Sequence, residues 1–393
     1  MSDPTTTHNI VILGASYAGL GTAHGLLKAI PTLQTQTQKK YKVTLIANSE
    51  YFWWSVGAPR AMLKPYPKSI DDSFLPVKSA FEKYPSEHVE FIYAQITGLD
   101  AAKREVLYKL KEGESVAEVT SNFHFDTLVI ATGSTGASPL YALQNGHQAT
   151  YNAYKDVQSR LPSAKTVMVV GGGTAGVETA GELGFLHGTS SDSPKDITIL
   201  SGSSRVLSHL RPAISTRAEE TLSGMGVKIL NDVRLKDSKR LPGGGEEITL
   251  SDGSTQQIDV LLVATGRVPA ASFLPGDFVN DKGKVITDDH LRLPSIESAY
   301  SLGDVASVSP GGLFAMFNMV PTAVANIVAE LGGKGKGKEW KLFTDKETQI
   351  VPIGPNGGVG AMFGWWAPSF VVRLLKARDF MFGRASKYLN GEV

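Results

Sequence analysis

The run Asn9-Ile10-Val11-Ile12-Leu13 is apolar, too short for a helix, and reads as a buried strand. Gly14 to Gly19 then forms a tight turn, and from Leu20 to about Ile30 the apolar positions take helical spacing. The polar stretch Thr32 to Lys40 reads as a loop, and Lys42 to Ile46 as the next strand. The same order returns later: strand Lys165 to Val170, turn Gly171 to Gly176, helix Val177 to about Leu186, loop Thr189 to Lys195, strand Asp196 to Leu200. Each half also closes alike, on strands ending in Ala131-Thr132-Gly133 and Ala264-Thr265-Gly266. Short strands with turn residues precede each ending, over Val89 to Val119 and Val227 to Gln257, as in a β-meander. After residue 270 come Leu302-Gly303-Asp304, a helical stretch from about Met316 to Leu331, and a glycine–lysine linker, Gly332 to Lys338. Trp340 to Val393 mixes a strand or two with an apolar, basic helical segment.

A strand–glycine turn–helix unit is what a dinucleotide pyrophosphate requires. The first glycine turns the chain, the last lets helix and strand pack closely, and the helix N-terminus offers unpaired N–H groups. Gly171-Gly172-Gly173-Thr174-Ala175-Gly176 is a full G-x-G-x-x-G, whereas Gly14-Ala15-Ser16-Tyr17-Ala18-Gly19 has serine at the middle glycine. Either could be a plain tight turn alone; the pair, each with its own Ala-Thr-Gly ending, points to two bound dinucleotides. Hydride transfer between a nicotinamide and a flavin is the chemistry that such a pair serves. Thr132 and Gly133 then fall beside the FAD, and Gly266 beside NAD(P)H. Asp304 is suited to flavin ribityl or ribose hydroxyls, with a helix N-cap as the alternative.

An acid at the end of the second strand usually takes the NAD ribose 2′-hydroxyl. In the second unit that position is Ser201, with Arg205 nearby, so a 2′-phosphate is not repelled and NADH or NADPH is accepted. In the first unit it is Ala47, with polar Asn48 beside it. Glu178, in the first turn of the second helix, either faces the nicotinamide or complements the helix dipole.

Composition narrows the chemistry. The 393 residues suffice for two or three domains, and 42% hydrophobic and 20% charged residues are ordinary globular values. A formal net charge of +1 gives no reason to expect nucleic-acid binding. Cysteine is absent, which excludes disulfide frameworks, thiolate metal sites and any dithiol or sulfenic-acid relay. Met1 to His8 is polar, without a signal-like apolar region, and no apolar run is read as reaching the roughly 18–20 residues of a membrane span. The expectation is a cytoplasmic protein, at most peripheral on a membrane.

Taken together, Ala131-Thr132-Gly133-Ser134-Thr135-Gly136, Val169 to Glu178 and Leu302-Gly303-Asp304 resemble the ferroptosis-suppressor, apoptosis-inducing-factor-like flavoproteins and their fungal relatives. Gly358-Val359-Gly360 and Val372 to Asp379 extend the resemblance into the C-terminus. It implies an FAD enzyme that reduces quinones with NADH or NADPH. It further implies that the turn 14–19, Arg60, Ile96 and Asp304 contact FAD, Arg60 at the pyrophosphate and Ile96 at adenine through its backbone. Lys376 would stand near the flavin and quinone site. Ser16, Ala47 and the lack of an N-myristoylation signal at Ser2 depart from the pattern.

The expected fold is therefore α/β, two Rossmann-like domains in a glutathione-reductase-like arrangement plus a small C-terminal α+β segment. Residues 1–160 and 271–335 would bind FAD, 161–270 NAD(P)H, and 336–393 would cover the flavin and acceptor site. That last segment, with Trp365, Trp366, Phe370 and Leu374 among Arg373, Lys376 and Arg378, suits a lid, a quinone entrance, a peripheral membrane contact or a homodimer contact. The leading reading is an NAD(P)H:quinone oxidoreductase. A flavin-dependent tailoring enzyme for one metabolite and a pro-apoptotic signalling flavoprotein with incidental reductase activity are the alternatives.

Overall fold

In a computed structural model, which describes residues 7–63, 69–144 and 146–392, the apolar runs become the central strands of two parallel sheets. The expectation for Met1 to His8 falls largely outside the described residues. Strand β1 (Thr7–Leu13) leads into helix α1 (Tyr17–Thr37), then β2 (Lys40–Ala47), β3 (Val89–Asp100), β4 (Glu105–Glu112) and β5 (Thr127–Ile130). Ile10 to Leu13 are fully buried, as strands covered on both faces must be.

Helix α1 runs seven residues past the expected Ile30, through the stretch read as a loop. Pro31 lacks an N–H, yet Leu33 is still buried, and Thr35 and Thr37 donate their hydroxyls to the carbonyls of Pro31 and Leu33. Gln38, left-handed at φ 59°, ends the helix.

The second unit runs β6 (Thr166–Val170), α2 (Thr174–His187), β7 (Asp196–Leu200), β8 (Val227–Leu230) and β9 (Val260–Val263), paired in the all-parallel order β8-β7-β6-β9. The chain then returns to the first sheet with β10 (Ala299–Ser301), which completes the parallel order β3-β2-β1-β5-β10. Beyond Tyr93, β3 continues antiparallel to β4. A three-stranded antiparallel sheet spans 235–258. The segments after the two Ala-Thr-Gly endings pair with each other, Ser134 opposite Pro269 and Thr135 opposite Val268, so the repeats are joined at corresponding places.

Helix α3 (Leu313–Glu330) packs on α1 because Gly21 and Gly25 let Val320 and Val324 come close; a Cβ on Gly25 would lie 2.6 Å from Val324. Among the described residues α3 is the one helix long and apolar enough to cross a membrane, with mean hydropathy 1.4 over 18 residues, although Asn318, Thr322 and Asn326 interrupt its apolar positions. Its Met319, Ala323, Asn326 and Ile327 are buried within the fold.

The C-terminal part is a small sheet, β11 (Gln349–Pro352), β12 (Gly358–Met362) and β13 (Trp365–Trp366), followed by short helical turns. One of these, Arg373–Ala377, is a π-helix.

Candidate functional site

Sterics explain both glycine turns in the same terms. A Cβ on Gly19 would sit 1.9 Å from the Gly14 carbonyl oxygen, and one on Gly176 1.8 Å from that of Gly171. Gly14 and Gly171 take φ +104° and +122°, a region that side chains rarely adopt. The middle positions differ. A Cβ on Gly173 would meet nothing within 4 Å, leaving an open cradle before α2, while Ser16 stands exposed before α1 with no side-chain capping bond. First-turn N–H groups lack intrahelical partners, so both turns suit a pyrophosphate.

Around the first turn, Ala15 and Ala18 contribute backbone and small side chains. Tyr17 points elsewhere. Its ring packs on Phe52, Trp54 and Tyr388 at 5.0–5.7 Å, and burial raises its phenol above the usual range. Asn48 is exposed, its carbonyl 3.3 Å from Lys111 Nζ. Ile96 lies past the C-terminal end of β2, where Ala47 pairs Tyr93, and its neighbour Tyr108 across the ladder packs with it on the outer core. Thr132 Oγ1 donates to the Ala270 carbonyl at 2.7 Å, and Gly133 adopts φ +71°. Asp304 accepts from Ser134 Oγ at 3.0 Å and from the Gly312 N–H at 2.9 Å, with Arg267 at 3.6 Å. Arg267 follows Gly266, so the end of the second unit reaches the acid of the first.

Around the second turn, Thr174 and Ala175 open α2, and Thr174 Oγ1 accepts from Gln349 of the C-terminal sheet. Ser201 is buried, its hydroxyl 3.0 Å from the Ser203 and Arg205 carbonyls. Arg205 turns inward to the carbonyls of Ser208 and Leu210. Arg234 stands instead at this strand end, donating to the Gly202 carbonyl at 2.7 Å.

The two residues expected to be catalytic meet. Lys376 Nζ lies 2.5 Å from Glu178 Oε1, with side chains 17% and 5% exposed. Burial raises the Glu178 carboxyl; Lys376 opposes that rise, and Glu182 adds to it. Glu182, one turn further along α2, is the residue that sequence reasoning missed, although two acids at i,i+4 on a helix of buried residues are a visible signal.

Arg60 departs from its expected role. Four of its N–H groups are engaged within the protein: Nε and Nη2 donate to Glu182 at 2.7 Å, Nη2 to the Ala377 carbonyl at 2.8 Å, and Nη1 to that of Arg378 at 2.9 Å. The guanidinium also lies 4.6 Å from the centre of the Phe380 ring. It is 3% exposed, so a buried carboxylate and two carbonyls, not an open turn, are its surroundings.

Comparison with known proteins agrees with this layout. The profile of the pyridine nucleotide-disulphide oxidoreductase family matches residues 8–326, and FAD is that family's standard cofactor. Oxidoreductase phnG of Penicillium herquei is 35% identical, covering 96% of this chain and 94% of its own. Ferroptosis suppressor protein 1 of Homo sapiens is 26% identical over 97% and 96%. Among solved structures, the sulfide:quinone oxidoreductase of Aquifex aeolicus superposes with a TM-score of 0.68 at 16% identity, covering 98% of this chain and 92% of that one, which speaks to fold alone. Profile, relatives and paired glycine turns place the chain in the pyridine nucleotide-disulphide oxidoreductase family, as a cysteine-free NAD(P)H-dependent flavoprotein oxidoreductase.

Proposed function

We propose that the chain reduces a quinone-type acceptor with electrons from NAD(P)H, and that the Lys376–Glu178 pair handles the accompanying proton. The observation that carries this reading is that buried pair, lying where the C-terminal segment meets the helix opened by the second glycine turn. The turn 14–19 with Asp304 would hold FAD, which when bound supplies a two-electron carrier between nicotinamide and acceptor. Gly171 to Gly176 would hold NAD(P)H, with no carboxylate at Ser201 to repel a 2′-phosphate.

Reducing a quinone to a quinol takes two electrons and two protons. NAD(P)H brings both electrons and one proton, so the second proton comes from a protein group or water. Lys376 Nζ carries a transferable proton and a positive charge suited to a developing oxyanion. Glu178 holds that ammonium in place. With no thiol in the chain, no dithiol relay intervenes.

The reading is tested by anaerobic NADH and NADPH titration of the FAD-loaded protein, then turnover with menadione and a short-chain ubiquinone. Bleaching by the dinucleotide with no turnover on any quinone would sink the acceptor assignment. Lys376→Met is expected to lower kcat with quinone roughly 100-fold while leaving the bleaching intact.

A further inference from the structure

Two buried ion pairs sit one helical turn apart on α2, Glu178 with Lys376 and Glu182 with Arg60. Only the first carries a proton that the chemistry uses. The second is nonetheless the better shielded, with both side chains 4% exposed. Buried ion pairs are a poor source of stability, since well-packed apolar residues of similar volume often do as well or better. What a bidentate guanidinium–carboxylate pair supplies is direction.

The direction is visible in what else Arg60 holds. Lys376 lies in the π-helical turn Arg373–Ala377, closed by the Arg378 N–H on the Arg373 carbonyl at 3.0 Å. The helix cannot continue, because Phe380 and Met381 adopt left-handed φ of 48° and 57°. Carbonyls at such a terminus lack intrahelical donors. Arg60 takes the first two after Lys376, those of Ala377 and Arg378, and Trp54 Nε1 takes that of Phe380 at 3.0 Å. The Phe380 ring lies under both cations, 4.6 Å from Arg60 and 5.7 Å from Lys376. Arg60 comes from the first unit, Glu182 from the second and the carbonyls from the C-terminal segment, so the contact closes only when all three are docked.

We infer that Arg60 and Glu182 are positioning residues: Glu182 aims the Arg60 guanidinium, which caps the π-turn and so sets Lys376 against Glu178. This assigns Arg60 to the acceptor side of the molecule, and it rests on the proton-handling reading of Lys376 given above.

The test uses the FAD-loaded full chain with Glu182→Gln, which keeps shape and removes charge, Arg60→Lys, Lys376→Met, and the Glu182→Gln/Lys376→Met double variant. Glu182→Gln should speed amide hydrogen exchange over residues 373–382 and leave the two parallel sheets unchanged. It should lower kcat with quinone roughly 10- to 100-fold, with KM for NAD(P)H within about twofold, as a misplaced group does. In the Lys376→Met background the same change should cost less than about twofold, because residues acting through one another are not additive. An equal loss in both backgrounds, or unchanged exchange over 373–382, overturns the inference. So does loss of bound FAD as the sole effect of Arg60→Lys, which would return Arg60 to the pyrophosphate. If Arg60→Lys fails to fold, Glu182→Gln decides alone. If the parent protein reduces no quinone, the proposed function fails and the exchange measurement still decides the positioning role.

Discussion

Gly173 and Gly176 stand three residues apart in one turn and are glycine for different reasons. At Gly176 the protein itself forbids a side chain, since a Cβ would fall 1.8 Å from the Gly171 carbonyl oxygen. Gly176→Ala should therefore push α2 off β6, costing about 1–3 kcal/mol of stability, and weaken dinucleotide binding with it. At Gly173 a Cβ would meet no protein atom within 4 Å, which leaves that space open to the dinucleotide proposed for this turn. Gly173→Ala should keep stability within about 0.5 kcal/mol of the parent and still weaken NAD(P)H binding. Thermal melts beside dinucleotide titrations separate the two, and undiminished affinity in Gly173→Ala would mean that the pyrophosphate lies elsewhere. Ser16 is the same position in the first turn, where the sequence departs and the backbone does not.

At the scale of elements, the strands and helices that repeat were legible because their signals are local: an apolar run, a glycine turn, a helical spacing. Helix α1 was underestimated where the polar stretch Thr32 to Lys40 read as a loop, although its buried stripe continues to Leu33. The partners at the site were not legible, because Glu178 meets a lysine 198 residues away and Glu182 an arginine 122 residues away. Nothing local announces a π-turn either, and it is the π-turn that carries Lys376. The last helical turn, Ala385–Leu389, is tied down in a way that titrates. His24 of α1 lies 2.8 Å from the Leu389 carbonyl through Nε2 and 3.0 Å from the Tyr84 hydroxyl through Nδ1, an arrangement that suits a neutral ring donating to one and accepting from the other. Burial pushes its pKa down to about 4; the Leu389 carbonyl opposes this, and Lys83 and Lys28 reinforce it. The folded value lies below the ordinary 6.5, so the stability it contributes is complete above that pH and is lost as pH falls from 6.5 towards 4. The melting temperature should accordingly drop more between pH 7 and pH 5 in the parent than in His24→Gln. Equal drops would show that His24 is not the titrating anchor.

At the scale of the molecule, several large apolar side chains stay exposed among the described residues after both units and the C-terminal segment have packed. Trp365 is 78% exposed, Phe370 70%, Leu374 65% and Phe343 65%. Phe343 contacts Phe314 at the start of α3 and Phe363 of the C-terminal part, so aromatic rings from two elements meet there. Arg373 and Arg378 are exposed among these residues, and Leu374 is two residues from Lys376. Phe370 and Leu374, four residues apart beside the turn that carries Lys376, offer exposed apolar area of the kind that marks binding surfaces. For the proposed acceptor the consequence depends on the tail: a long isoprenoid chain needs apolar contact, and a tailless quinone does not. Burying a phenylalanine or leucine side chain against such a chain contributes about 1.5–3 kcal/mol when complete, and every 1.4 kcal/mol is about tenfold in affinity. Phe370→Ser with Leu374→Ser should thus raise KM for a long-chain ubiquinone about tenfold, at unchanged kcat with menadione. Because both side chains point to solvent, the change should leave the melting temperature nearly where it was. A KM that rises equally for menadione would place the effect at the reacting ring, by disturbance of Lys376. A KM unchanged for both would mean that the tail leaves the protein by another face.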